Sequence, residues 1–333
     1  MNSRHDLTNL RYDRTSTLST MASQHRPVTN VVVLGSTGHV GIPTVIALSN
    51  HPARFTVTAV TRDKSQASFP PNVRVVESDL SRRSLLSLFQ DQDAVVSCLA
   101  TSMVDQQKDI VDIAVECGIA RLIPSEYGLD STHPNAAKFV PITKTKIENL
   151  DYIRQFEHRL SWTTLVTGSF FDRQFGDPGW FGWNMAEHQA TVFDGGDVEF
   201  ETTNLSQIGA AIAAILSPEH LDDTANQVVF VNSFTTTQNK VVAALEKITG
   251  RKMTIEHETT AAVRECALVA HEEDPTDFGP VADLVTASVY GQGGLNLYSK
   301  SAGGLWNDRL GLEREDFIGS IEKALAVYTK PGA

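Results

Sequence analysis

The chain has 333 residues, 41% of them hydrophobic and 20% charged, and a net charge of −12. This is the composition of an ordinary soluble globular protein, long enough for one large or two smaller domains with a real core. The acidic balance and the lack of any Lys/Arg block argue against a nucleic-acid partner, and no apolar run approaches the roughly 18 residues of a membrane span.

Residues 1–28 are rich in Ser, Thr, Asn and Arg and show no sustained periodicity, so a disordered tail is expected there. Asp6 and Asp13 count against a mitochondrial presequence. Beyond the tail, the apolar run Val31–Leu34 feeds Gly35-Ser36-Thr37-Gly38-His39-Val40-Gly41, and a helix-compatible segment follows from Ile42 to Ser49. Glycines at i, i+3 and i+6 allow unusual backbone angles and let the main chain approach a ligand closely. A helix starting there turns its N–H groups and positive dipole end toward a pyrophosphate. The spacing departs from G-x-G-x-x-G, so dinucleotide binding depends on the context around it.

Strand-like runs recur at Phe55–Val60, Val73–Val76, Ala94–Leu99, Arg121–Ile123, Trp162–Val166 and Gln227–Val231. Helical segments lie between them at 84–89, 105–117, 144–156 and 207–216. The alternation predicts an α/β fold with a doubly wound parallel sheet of the Rossmann type over residues 29–170, with 205–232 returning to it. Ligands of such sheets bind beyond the carboxyl ends of the strands. That rule gathers the glycine turn, Thr61-Arg62, Asp79, Leu99-Ala100-Thr101, Pro124-Ser125-Glu126 and Thr167-Gly168-Ser169. Residues 171–204 and 233–333 are expected to form a smaller, mainly helical substrate lobe. The stretch from Phe170 to Glu201 reads as an aromatic loop. Most of its rings should pack in a core, while Phe170, Phe171, Trp180 and Trp183 are candidates to line an apolar pocket for an aromatic or polycyclic substrate.

The residues after the second strand distinguish the nucleotide. An acidic residue at its end would accept bonds from ribose hydroxyls, but here Thr61-Arg62-Asp63-Lys64 follows Val60. Arg62 and Lys64 suit a 2′-phosphate, which favours NADP over NAD, although Asp63 could serve a 2′-hydroxyl instead. Other chemistries find little support. His133, His158 and His188 share no metal-ligand spacing, so no metal site is expected. Cys98, Cys117 and Cys266 read as reduced, buried thiols of a cytosolic protein. Ser169 is not enclosed as G-x-S-x-G, so no hydrolase elbow is expected.

The run Arg121-Leu122-Ile123-Pro124-Ser125-Glu126-Tyr127-Gly128, with the glycine turn before it and Lys144-Thr145-Lys146-Ile147 after it, resembles the NmrA-like / isoflavone reductase-like family. Its members are atypical short-chain dehydrogenase/reductase relatives that include phenylcoumaran benzylic ether and pinoresinol–lariciresinol reductases. The likeness runs from Asn30 to Phe171 and then fades. It implies an NADPH site and a lysine near the nicotinamide, carried here onto Lys144, with Lys146 the second choice. It also places Asp105-Gln106 and Ser125-Glu126 near the cofactor's reactive end, with Tyr127 toward the substrate. Tyr127 stands where plant enzymes have phenylalanine, and Glu148-Asn149 replaces their basic pair. This looks like a fungal-type branch, and the substrate does not carry over.

The Tyr-x-x-x-Lys pair of most short-chain reductases is absent, so a lysine would have to stabilise the charge that hydride transfer creates. The expected protein is a cytosolic NADPH-dependent reductase of a small, largely apolar molecule in specialised metabolism, acting as a monomer or homodimer. Two alternatives remain open: an NADP(H)-sensing regulator with a protein partner, and a nucleotide-dependent isomerase or epimerase.

Overall fold

The computed structural model describes residues 26–176, 178–292, 295, 297–300 and 303–328. Most of the tail expected at 1–28 lies outside the described residues, whereas Val28 is already part of the buried core. In the first part of the chain, β1 (Asn30–Leu34) leads to α1 (Gly41–Asn50), and β2 (Thr56–Thr61) to β3 (Arg74–Glu77) and α2 (Arg82–Phe89). Next come β4 (Ala94–Ser97), α3 (Gln107–Glu116), β5 (Arg121–Ile123), α4 (Ala136–Phe139), α5 (Thr143–Arg154) and β6 (Ser161–Val166). Short strands β7 (Ser169–Phe170), β8 (Trp183–Asn184), β9 (Gln189–Phe193) and β10 (Phe200–Thr203) precede α6 (Leu205–Leu216), β11 (Gln227–Phe230) and β12 (Phe234–Thr236). The chain continues through α7 (Gln238–Thr249), β13 (Thr254–Glu258), α8 (Thr260–Glu273), α9 (Phe278–Tyr290) and α10 (Phe317–Tyr328).

Seven strands form one sheet in the order β11-β6-β5-β4-β1-β2-β3, and every neighbouring pair is parallel. This is the doubly wound α/β architecture anticipated from the alternation. Successive side chains of a strand face opposite sides, so both faces of the apolar run must be covered. Val31 and Val33 pack with Val45, Leu48, Ile208 and Ile212 of α1 and α6. Val32 and Leu34 pack on the other face with Leu85, Phe89, Ile110, Ile113 and Ile153 of α2, α3 and α5. Winding reverses between β1 and β4, which opens a crevice at their carboxyl ends.

The region read as an aromatic loop contains ordered strands. β8 pairs antiparallel with β9, which pairs with β13, while β10 lies between β7 and β12. Two features hid them from a periodicity argument. The strands are only two to five residues long, and left-handed residues at Gly179, Phe181, Gly182, His188, Asp194, Gly195 and Gly196 break the pattern between them. Their aromatic side chains form a second core in which Phe171, Phe175, Trp183, Phe193, Phe200 and Tyr290 are buried. Tyr290 stacks on Phe193 with centroids 5.6 Å apart and meets Phe200 edge-on at 5.0 Å. The cysteines are unpaired: Cys98 is buried, Cys117 is half-buried, and Cys266 is exposed on α8 where a buried thiol was expected.

Arg121 is fully buried in β5 and ties that end of the sheet together. Its guanidinium donates to the hydroxyls of Ser161 (2.8 Å), Thr163 (2.9 Å) and Thr224 (3.1 Å) and to the Leu221 carbonyl. Burial lowers its pKa to about 10, so it stays charged at neutral pH. Arg121→Met keeps much of the volume but strands the Leu221 carbonyl, and urea unfolding should show a loss of about 2–3 kcal/mol. Asp172 holds the start of α6, with both carboxylate oxygens accepting from the Leu205 N–H at 3.1 and 3.2 Å. Burial, aided by Glu315, raises its pKa from 3.8 to about 6. A raised carboxyl pKa favours folding most below pH 3.8, and that contribution is lost as pH rises through about 6. Asp172→Asn retains an acceptor without the charge. Its stability relative to the parent should rise from pH 4 to 6 and level off above, as read by urea titrations at fixed pH.

Candidate functional site

The glycine turn lies at the carboxyl end of β1, against the end of β4. Gly35 has a left-handed φ of +69°, and a Cβ there would stand 2.5 Å from the Cys98 carbonyl oxygen. A Cβ on Gly41 would stand 2.2 Å from the Gly35 carbonyl oxygen. Both positions therefore need glycine for close backbone packing. Ser36 is buried and its hydroxyl donates to the Val60 carbonyl at 2.9 Å, so it locks the turn to β2 instead of facing a ligand. Thr37 pairs with Thr61 across the same junction, hydroxyl to hydroxyl at 3.2 Å. Gly38 and His39 are exposed at the tip. Val40 precedes α1, and no side chain caps that helix end. The first turn of α1 thus presents the uncapped amide end that a phosphate requires.

Arg62 and Lys64 are both exposed beyond β2. Between them the Asp63 carboxylate turns back and accepts from the Ser65 N–H at 2.8 Å. Lys64 contributes its own N–H to the Glu77 carboxylate at 3.3 Å. Asp79 accepts from the Ser81 N–H (2.9 Å) and the Ser84 hydroxyl (2.6 Å), which makes it part of the α2 cap and holds its pKa near 2. Asp79 borders the crevice but spends its carboxylate on the helix.

Beyond β4 and β5 the remaining expected residues sit close together. The Ser125 hydroxyl donates to the Leu99 carbonyl at 2.7 Å, next to the exposed Ala100. Its N–H reaches the side chain of buried Gln107 at 3.3 Å, beside the half-buried Gln106. Thr167 is fully buried, where its hydroxyl accepts the Gly128 N–H at 3.0 Å and fixes the bend after β6. Ser125 and Thr167 therefore shape the crevice through main-chain bonds.

An apolar cavity opens beside these strand ends, with roughly 880 Å³ of empty space including its open mouth. Tyr127, Gly128 and Leu129 come from the β5 side, and Gly168, Ser169 and Phe170 from the β6 side. Val140, Ile142, Thr143 and Lys146 of the α5 region form one wall, Trp180 and Phe181 a second, and Phe278, Val281, Ala282 and Val285 of α9 a third. Phe170, Trp180 and Tyr127 are in the wall. Phe171 and Trp183 are not: both are fully buried in the aromatic core, because strand alternation turns them away from the cavity. Sequence reasoning missed the α9 wall, Leu129, Thr143 and Phe181. The apolar run of α9 headed by Phe278 was the available signal.

Lys146, not Lys144, faces this cavity. Residues three apart share a helix face, so Thr143 and Lys146 enter the wall together while Lys144 between them is exposed. The Lys146 side chain is 12% exposed, and its ammonium lies 3.9 Å from the carboxylate of Glu126, a side chain 4% exposed. Glu126 also accepts from the Ser131 hydroxyl at 3.0 Å. Burial raises the Glu126 pKa, and Lys146 and Ser131 pull it back. The Tyr127 ring faces the cavity, but its hydroxyl points inward to Cys98 Sγ at 3.8 Å. Burial pushes that phenol well above its ordinary pKa and pushes the Cys98 thiol to about 12. The hydroxyls of Thr143 and Ser169 are occupied by the Val140 carbonyl (2.7 Å) and by Thr202 (3.0 Å). Among the described residues of the wall, Lys146 is therefore the cation offered to a bound molecule.

A family model described as the NmrA-like family matches residues 27–273. Oxidoreductase aprR of Aspergillus flavus is 32% identical over 232 residues, covering 68% of this chain and 76% of that one. Isoflavone reductase homolog P3 of Arabidopsis thaliana is 24% identical over 274 residues, covering 76% and 84%. Among solved structures, the binary complex of leucoanthocyanidin reductase and NADPH from Vitis vinifera has a TM-score of 0.69 at 16% identity, covering 89% of this chain and 99% of that one. At that identity the structural likeness is one of fold.

Proposed function

This chain belongs to the NmrA-like family, and we propose that it is an NADPH-dependent reductase of a small, apolar, largely aromatic molecule, with Lys146 stabilising the charge that reduction creates. It is an oxidoreductase of the isoflavone reductase-like type, and its cofactor is NADPH. The observation that carries the reading is the apolar cavity beside the glycine-turn crevice, with Lys146, paired to the buried Glu126, in its wall.

The residues present fit the cofactor. Gly35 and Gly41 keep the turn flat where a Cβ would strike main chain, and the first turn of α1 is uncapped by any side chain. Arg62 and Lys64 offer a cationic pair to a 2′-phosphate, and Asp63 is turned toward Ser65. When bound, NADPH supplies a hydride. The chain's own residues do the rest. Rings at Tyr127, Phe170 and Trp180 and the α9 wall exclude water and orient a flat apolar substrate. The Lys146 ammonium supplies a positive charge, and a proton at Nζ, to the substrate oxygen on which negative charge develops. Glu126, held by Ser131, keeps that ammonium at the wall. Tyr127 contributes its ring, since its hydroxyl is engaged with Cys98.

Two sets of variants test this. In NADPH oxidation assays over a panel of enones, quinones and aryl ketones, Lys146→Ala should lower kcat by about 100-fold or more. Lys144→Ala should stay within about threefold of the parent, because it lies outside the wall. The reverse order would move the role to Lys144, and no turnover by the parent despite cofactor binding would favour a sensor. Arg62→Ala should weaken NADPH by about tenfold and leave NADH nearly unchanged, and unchanged selectivity would remove Arg62 from the 2′-phosphate site.

A further inference from the structure

One side chain bridges the phosphate end of the crevice and the substrate cavity. Arg173 follows β7 in the short turn Arg173–Phe175, and its Nε donates to His39 Nε2 at 3.2 Å. His39 is exposed at the tip of the glycine turn, beside the uncapped start of α1. The same guanidinium lies over the Trp180 ring, 5.3 Å from its centroid. Trp180 in turn forms part of the cavity wall. Its neighbour Phe181 holds a left-handed φ of +50°, and the Tyr290 hydroxyl donates to the Phe181 carbonyl at 3.2 Å. The backbone around Trp180 is therefore held from the aromatic core, and its indole packs between Phe181, 5.5 Å away centroid to centroid, and the Arg173 guanidinium.

The main chain that carries Arg173 is tied to the nucleotide side of the molecule. The adjacent Asp172 directs both carboxylate oxygens to the Leu205 N–H at the start of α6. Residues of α6 pack against α1 in one core cluster, and α1 is the helix that starts at the glycine turn. These two contacts use different parts of the guanidinium: an edge meets His39, and the face lies on Trp180. An arginine edge is suited to a phosphate, since its N–H groups match two oxygens in parallel. With His39 Nε2 as acceptor the imidazole is a neutral partner, and a charged phosphate oxygen makes a stronger one.

We propose that Arg173 binds the cofactor's pyrophosphate and thereby couples occupancy of the glycine turn to the placement of Trp180 over the substrate cavity. The inference rests on the NADPH reading above. Its consequence is ordered binding: the cofactor arrives first, and the wall that receives the substrate is completed by it. Arg173 is a positioning residue for the substrate and a binding residue for the cofactor.

The test uses the full chain and its Arg173→Ala, Arg173→Lys and Trp180→Phe variants. Calorimetry measures NADP⁺ and, separately, adenosine 2′-monophosphate, which carries the 2′-phosphate without a pyrophosphate. Arg173→Ala should weaken NADP⁺ by about 10- to 30-fold and leave adenosine 2′-monophosphate unchanged. NADP⁺ should also produce a tryptophan emission change that is missing in Trp180→Phe and in Arg173→Ala at saturation. Arg173→Lys should recover part of the affinity without that signal, because an ammonium lacks the planar face and fork. Equal loss of both ligands would mean a folding defect and overturn the assignment. NADP⁺ affinity within about twofold of the parent in Arg173→Ala would overturn it while the reductase reading stands. A Trp180 signal that persists in Arg173→Ala would overturn the coupling. Failure of the parent itself to bind NADP⁺ would remove the cofactor reading and this inference together.

Discussion

A Cβ on Gly35 would stand 2.5 Å from the Cys98 carbonyl oxygen, so β1 and β4 can end side by side only because that position is glycine. The closeness has consequences on both sides of the sheet. It sets the glycine turn beside the topological reversal, and it aims the first turn of α1 across the carboxyl ends of the strands. Cys98 follows β4 directly and approaches both Thr44 of α1 and the Tyr127 hydroxyl. The same junction therefore turns the Tyr127 hydroxyl inward and leaves its ring for the cavity. The β1–β4 junction thus links the glycine-turn crevice to the wall of the cavity.

The cavity is selective in what chemistry it leaves available. Most polar groups around it are consumed by architecture: Ser125 on Leu99, Thr143 on Val140, Thr167 on Gly128 and Ser169 on Thr202. Buried hydroxyls favour a hydrogen-bond partner, and three of these four find it on the main chain while Ser169 finds it on the Thr202 hydroxyl. Among the described residues, what faces an incoming molecule is then mostly apolar surface, with the Thr101 side chain and the Lys146 ammonium, the latter paired to Glu126. That arrangement suits a ground state of low polarity and a transition state that carries negative charge. The aromatic core beneath supports the wall through Phe181, which belongs to both and whose carbonyl accepts from the Tyr290 hydroxyl.

Much of this was legible in the residues. Val31–Leu34 had to be a strand covered on both faces, and three glycines followed by a helix had to make a phosphate-type turn. The runs at Ala94, Arg121 and Trp162 are strands β4, β5 and β6, and Ser125, Glu126 and Tyr127 follow the end of β5. Individual roles were less accessible. Asp79 and Ser36 lie where expected but direct their polar atoms to a helix cap and to β2. Neighbour identity in space decides such cases, and that information is not local. Phe171 and Trp183 belonged to the right aromatic segment, but strands of two residues carry too little periodicity to say which face each ring takes.

The sequence by itself determined the doubly wound sheet, the position of the glycine turn and the family, because apolar period, glycine spacing and the 121–128 run are properties of neighbouring residues. Only the tertiary structure decided which lysine meets the cavity. Lys144 and Lys146 stand two residues apart on one helix, and helical phase relative to β5, β6 and α9 turns the second inward and leaves the first exposed. The same holds for Arg173 and His39, which lie 134 positions apart and meet because β7 returns the chain to the glycine turn. Local chemistry fixes which elements form, while contact across the fold fixes which side chains act together.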